Sequence, residues 1–203
     1  MRIIGLTGGI ASGKSSVAGL LEALGAPVVD ADQLSREAVK PGTAAYAAIL
    51  DLFGPDLISA DGSLDRERLG NIVFSDPEAR KRLESIVHPA IKLLAEERLA
   101  ELRHGEGKVA FYMAPLLIEA GAVDRVDEVW VVYLDAETQL KRLMQRDRLS
   151  REDALRRIES QMPMVVKKSY AKVVIDNSGP WEETAQQVRS VWEREIVKPE
   201  GRG

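Results

Sequence analysis

Apolar positions fall along this chain in two rhythms. Short unbroken runs, RIIGL at 2–6, APVVD at 26–30, KVAFYMA at 108–114, EVWVVYL at 128–134 and KVVID at 172–176, predict strands buried on both faces. Between them apolar residues recur every three or four positions, as helices require. Val17, Leu20, Leu21 and Leu24 give a helix over 14–24 that Gly25 ends, and 32–39 gives a short one stopped by Pro41-Gly42. Residues 44–104 carry no strand signal. They predict helices at 44–53, 64–74, 77–87 and 89–103, punctuated by Gly54-Pro55, Asp61-Gly62 and Ser75-Asp76-Pro77. Helices over 138–148, 151–162 and 181–196 complete the chain, and the tail from Lys198 is expected to be disordered.

Strands alternating with helices predict an α/β fold, a five-stranded parallel sheet with helices on both faces. The helical block at 44–104 is too long for a simple crossover. In such sheets ligands bind at the carboxyl ends of the strands.

One segment outside both rhythms carries chemistry. Gly8-Gly9-Ile10-Ala11-Ser12-Gly13-Lys14-Ser15 spells G-x-x-x-x-G-K-[ST], directly after a strand and opening a helix. Glycines let the backbone turn its N–H groups inward, and with the helix N-terminus these form a cradle for phosphate oxygens. Lys14 can reach the outer phosphates and the Ser15 hydroxyl can hold Mg²⁺. The competing reading is a glycine-rich turn with an exposed lysine. No N-K-x-D guanine motif accompanies the loop. Asp176-Asn177-Ser178-Gly179 reads as a turn after the last strand.

Two further groups fit a kinase. Asp32, after the second strand, can accept a proton from an attacking hydroxyl, with Arg36 four residues on along the same helix face. It can equally be a capping Asp with an i,i+4 ion pair. Basic residues cluster between Lys141 and Lys172, with Arg142 and Arg146 on one helix face. They read either as a lid closing over ATP or as a solvated face.

Composition narrows the setting. The 203 residues hold no Cys and two His, His88 and His104, which excludes disulfides and thiolate sites and disfavours a His-rich metal site. A net charge of −4 argues against a general nucleic-acid coat. No apolar run approaches a membrane span, and the first residues are too soon broken by glycine for a signal peptide. A cytoplasmic protein without nucleic-acid or membrane partners is expected.

Taken in order, GLTGGIASGKS, VVDADQLSREAV, VHPAI, APLLIEAG, TQLKRLMQRD, IESQM and VIDNSG resemble the dephospho-CoA kinase family over about residues 2–180. The P-loop is shared by many families; DAD-x-x-x-R, HP-x-I and PLL-x-E together are more specific. The resemblance implies ATP-dependent phosphorylation of the ribose 3′-hydroxyl of 3′-dephospho-CoA, with Mg²⁺ accompanying ATP, in a monomer or weak homo-oligomer. It implies a three-layer P-loop core at 1–43, 105–140 and 171–203, a CoA-side domain at 44–104 and a lid at 141–170.

On the matching positions it implies Asp32 as general base, and Gly8, Gly9, Ala11, Ser12, Gly13, Lys14, Ser15 and Ser16 around the phosphates, with Ser15 on Mg²⁺. Arg142 would face the transferring phosphoryl group, supported by Arg146. Arg36, His88, Leu116, Leu117 and Glu119 would line or organise the acceptor site. Each of the last four has a structural alternative: His88 as a helix cap, Leu116 and Leu117 as core, Glu119 as a cap or ion-pair partner.

The chain departs from the family pattern in places. Ala11 stands where Gly is common, which predicts a negative φ there. Ser16 replaces Thr. Met113 occupies a place where many relatives carry an acid, leaving Ser15 and Asp32 as the main candidates near Mg²⁺. Met164-Val165-Val166 is unusually apolar, for lid packing or a subunit contact. Other nucleoside or nucleotide kinases, and a nucleotide-binding switch module, remain alternatives on the residues alone.

Overall fold

The protein is described by a computed structural model over residues 1–198. Its chain forms two compact units: residues 1–29 joined by the chain from Glu101 onward, and residues 30–100.

In the first unit the apolar runs become strands, the three central ones buried nearly throughout and the two edge ones only in part. β1 (Arg2–Thr7), β2 (Val28–Asp30), β3 (Val109–Met113), β4 (Glu128–Tyr133) and β5 (Val173–Asp176) form one sheet in the order β2-β3-β1-β4-β5. β1 pairs in parallel with β3, Leu6 opposite Met113, and with β4, Leu6 opposite Trp130; β4 pairs in parallel with β5. The first strand is therefore central, and the segment leaving its carboxyl end sits between two neighbours. α1 (Lys14–Ala23) and α9 (Trp181–Trp192) pack Val17, Leu21, Val188 and Val191 against Phe111, Trp130 and Ile175. The Phe111 and Trp130 rings meet edge to face at 5.2 Å.

α6 (Ala136–Asp147) and α7 (Arg151–Glu159) belong to this unit. Asp135 caps α6 on Thr138 N–H, Arg148 ends it in the left-handed region (φ 55°), and Ser150 caps α7 on Asp153 N–H. α7 stops three residues short of the expected Met162. A short helix that the apolar rhythm does not reveal, α8 (Met164–Ser169), follows.

The second unit is helical: α2 (Ala31–Glu37), α3 (Ala44–Phe53), α4 (Arg66–Ser75) and most of α5 (Pro77–Arg103). Its core is Ile49, Leu57, Leu64 and Leu69. The two helices expected at 77–87 and 89–103 are one, with Pro89 inside it. An interior proline costs about 3 kcal/mol. Here Leu83, Ile86, Val87 and Ala90 carry one apolar stripe across it onto the same core, and packing outweighs the lost hydrogen bond. His88 is consequently exposed mid-helix and does not cap one.

No helix among the described residues is long and apolar enough to cross a membrane. The expected disorder of the tail falls, from position 199, outside the described residues.

Candidate phosphate-binding site

Thr7 closes β1, fully buried, its Oγ1 donating to Pro115 O at 3.2 Å. The loop Gly8–Gly13 then turns into α1. Three glycines are required by space or backbone. A Cβ on Gly8 would lie 2.6 Å from both Ser12 Oγ and Val132 O, and one on Gly9 would lie 2.7 Å from Gln139 Nε2. Gly13, with φ 79°, caps α1 in the left-handed region, and a Cβ there would overlap Asn177 Nδ2. Ala11 corrects the expectation of a negative φ: it sits at φ 61°. The left-handed region costs a non-glycine residue about 1–2 kcal/mol, so surrounding contacts must hold the loop in that shape.

Those contacts come from far along the chain. Gly9 N–H donates to Met164 Sδ at 3.1 Å and Ile10 N–H to Gln161 Oε1 at 2.8 Å. Gln139 Nε2 donates to Ile10 O at 3.0 Å. Buried Asn177 donates from Nδ2 to Ser12 O at 2.8 Å and accepts from Thr184 Oγ1 at 2.8 Å. DNSG is thus more than a turn. Spacing assigns Gln139 and Gln161 no role, reads Asn177 as a turn residue and marks Met164 only as unusually apolar, although all but Met164 lie in the segments that carry the family resemblance. A polar side chain whose partner lies more than a hundred residues away leaves no local signal.

The second half of the loop is left open. The N–H groups of Ala11, Gly13 and Ser15 meet no acceptor among the described residues. Ser12 Oγ is buried and likewise unpartnered. α1 carries no acidic residue in its first turn to offset its positive end. Unpartnered donors at a helix N-terminus are what a phosphate chain would satisfy. Ser15 and Ser16 are exposed on the first turn of α1. No group of three or more His, Asp or Glu side chains able to hold a metal occurs among the described residues, and Met113 ends β3 without a carboxylate. One hydroxyl suits Mg²⁺ that takes its remaining ligands from phosphate and water.

On α6, Arg142 Nη2 donates to Gly179 O at 3.2 Å. Arg146 instead pairs with Asp147 at 2.7 Å, and Asp147 also receives Arg157 of α7 at 3.0 Å. The hydrogen bond from Arg146 holds the Asp147 carboxyl below the usual carboxylate range. Leu117 is fully buried, close enough to block a side chain at Gly5, whereas Leu116 is 46% exposed. Glu119 pairs with Lys167 at 2.7 Å and accepts Met162 N–H at 3.1 Å.

In the helical unit Asp30, not Asp32, caps α2: its carboxylate accepts Asp32 N–H at 2.9 Å. Asp32 and Arg36 are both exposed, and no ion pair joins them among the described residues. The structural duties that competed with a chemical role for Asp32 are thus absent.

A model of the dephospho-CoA kinase family matches residues 2–183. A dephospho-CoA kinase of Geobacter sulfurreducens is 60% identical over 192 residues, covering 95% of this chain and 98% of that one. The solved dephospho-CoA kinase from Campylobacter jejuni superposes with a TM-score of 0.71 at 30% identity, covering 95% and 96% of the two chains. A shikimate kinase from Acinetobacter baumannii, at 15% identity and TM-score 0.54 over 99% of this chain and 96% of its own, shares the fold.

Proposed function

Because this chain belongs to the dephospho-CoA kinase family, and so catalyses the final ATP-dependent step of coenzyme A biosynthesis, we propose that its P-loop holds the ATP phosphates while Asp32 activates the acceptor hydroxyl. The observation that supports the nucleotide half is the open second half of the loop. Its acceptor-free N–H groups and the unpartnered Ser12 hydroxyl surround an uncompensated helix N-terminus. Lys14 at that terminus would neutralise charge on the outer phosphates, and Ser15 would hold Mg²⁺, which supplies charge neutralisation on the phosphate chain.

The acceptor half rests on the family motif and on Asp32 being free of capping and pairing. The Asp32 carboxylate takes the proton of the ribose 3′-hydroxyl. The hydroxyl oxygen then bonds to the γ-phosphorus as the bond from that phosphorus to the bridging oxygen breaks, giving coenzyme A and ADP. Arg142 would meet the transferring phosphoryl group, with Arg146 behind it. Arg36 would bind the acceptor, with His88 and Leu116 as further exposed candidates; buried Leu117 and Glu119, paired with Lys167, would help organise that site.

Asp32→Asn tests the assignment. General-base catalysis contributes about 10²–10⁴-fold, so coenzyme A formation should fall by that factor while ATP affinity, measured by calorimetry, stays within about twofold. Parallel loss of ATP binding and turnover would make Asp32 a nucleotide or metal ligand instead. ADP release beside AMP, adenosine and shikimate as acceptors checks the substrate; release with one of those alone would overturn it.

A further inference from the structure

The stretch from Ser160 to Lys167 takes no part in the chemistry assigned above, yet it holds the P-loop. Gln161 accepts Ile10 N–H and Met164 accepts Gly9 N–H, while Gln139 of α6 donates to Ile10 O. Two glutamine amides therefore grip the peptide planes on either side of Ile10. Ala11, the next residue, is the one in the left-handed region. Gly9 has no room for a side chain because Gln139 Nε2 and Met164 Sδ already occupy that space, at 2.7 and 2.8 Å from where a Cβ would stand.

The stretch is itself pinned. Lys167 has no exposed surface, and its ammonium is satisfied by Glu119 at 2.7 Å and Pro115 O at 2.8 Å. A buried ammonium costs several kcal/mol unless it is paired and hydrogen-bonded, so this end cannot drift without exposing or orphaning it. Glu119 also takes Met162 N–H. Residues 162 and 167 are thus fixed to the segment that follows β3, and residues 161 and 164 to the P-loop. α7, with Arg156 and Arg157, leads directly into it.

We infer that Gln161 and Met164 are positioning residues of the phosphate site, on a strap anchored by the Lys167–Glu119 pair that holds the first half of the P-loop and ties the basic helices to nucleotide binding. This rests on the P-loop reading above. The strap takes up the Gly9 and Ile10 N–H donors, and it holds the strained turn at Ala11 in place before nucleotide arrives. Nucleotide then meets a formed cradle instead of ordering one.

Two measurements test it. In the wild-type protein, hydrogen–deuterium exchange is followed with and without ADP. Slower exchange across 160–167 on ADP binding is expected; ADP binding with unchanged exchange there overturns the inference. Failure of ADP to bind at all overturns the phosphate reading as well.

Kinetics give the second test. Losing one such hydrogen bond should raise KM for ATP by about three- to tenfold in Gln161→Ala, with KM for dephospho-CoA unchanged. Met164→Leu keeps the apolar volume and removes the acceptor, and should raise KM for ATP less. Met164→Gln restores an acceptor of similar reach and should return it to within about twofold. A lowered Tm with unmoved KM for ATP in Gln161→Ala would mark a merely structural role and overturn the inference. Should that variant not fold, the Met164 pair and the exchange experiment still decide.

Discussion

The P-loop and the α2 turn bearing Asp32 are held in opposite ways. The loop is fixed by Gln139, Gln161, Met164 and Asn177, side chains separated from it by 129 to 165 residues. The α2 turn is held by its neighbours: Asp30 caps Asp32 N–H, and Ser35 Oγ donates to Asp32 O at 2.8 Å. Asp32 itself is exposed. The proposed phosphate site is therefore a product of contacts drawn from across the first unit. The proposed base depends on one short helix and its cap. A preformed cradle suits a group that must hold charge through the reaction, and a locally held carboxylate suits one that must meet a changing proton.

At the braced site the largest expected effect comes from removing the charge of Lys14. Lys14→Ala should lower kcat about 10²–10³-fold, the loss found when one preorganised charge-stabilising donor is removed. Near-normal turnover would remove Lys14 from the phosphates.

Next comes a change that attacks the bracing. Gly13→Ala puts a Cβ into Asn177 Nδ2 and a side chain at φ 79°. The backbone costs about 1–2 kcal/mol and the overlap a similar amount. Calorimetric Tm should fall by about 5–12 °C. By contrast Asp32→Asn, which carries no long-range contact, should leave Tm where it is. If both variants melt alike, the difference between the two regions is not real.

The two regions also differ in how far each is legible from residue order alone. All five strands lie within a residue or two of the apolar runs that predict them, because runs such as EVWVVYL are apolar where both faces are covered. The P-loop was found from four specified positions, since its chemistry fixes residue types at fixed spacing. What residue order does not carry is tertiary. Pro89 reads as a break because that rule is local, whereas the stripe of Leu83, Ile86, Val87 and Ala90 decides the matter through a core built by other helices. Asn177 looks like any turn residue until its amide is seen on Ser12 O. A negative φ at Ala11 follows from what alanine prefers, and the strap overrides that preference. The capping role considered for Asp32 belongs to Asp30, two residues away, a shift that spacing alone cannot resolve.

A smaller effect probes the locally held region. Asp30→Ala removes the α2 cap, worth about 1 kcal/mol. With only seven residues in α2, that loss frays the turn carrying Asp32. Turnover should drop about fivefold with KM for ATP unchanged, because the loop does not depend on that cap. An equal rise in KM for ATP would show that the two regions are not held independently.

The smallest effect returns to Ala11. Replacing it by glycine removes a left-handed strain of about 1–2 kcal/mol. It also adds freedom to the unfolded chain, which costs about 0.4–1 kcal/mol. The difference lies between about zero and 1.5 kcal/mol in favour of Ala11→Gly, so Tm should stay level or rise by up to about 5 °C. KM for ATP should not move, because Gln139, Gln161 and Met164 hold the peptide planes beside Ile10 whichever residue follows. A fall in Tm would mean that Ala11 keeps a negative φ in solution. A rise in KM for ATP would mean that the alanine methyl, and not the strap, stiffens the loop.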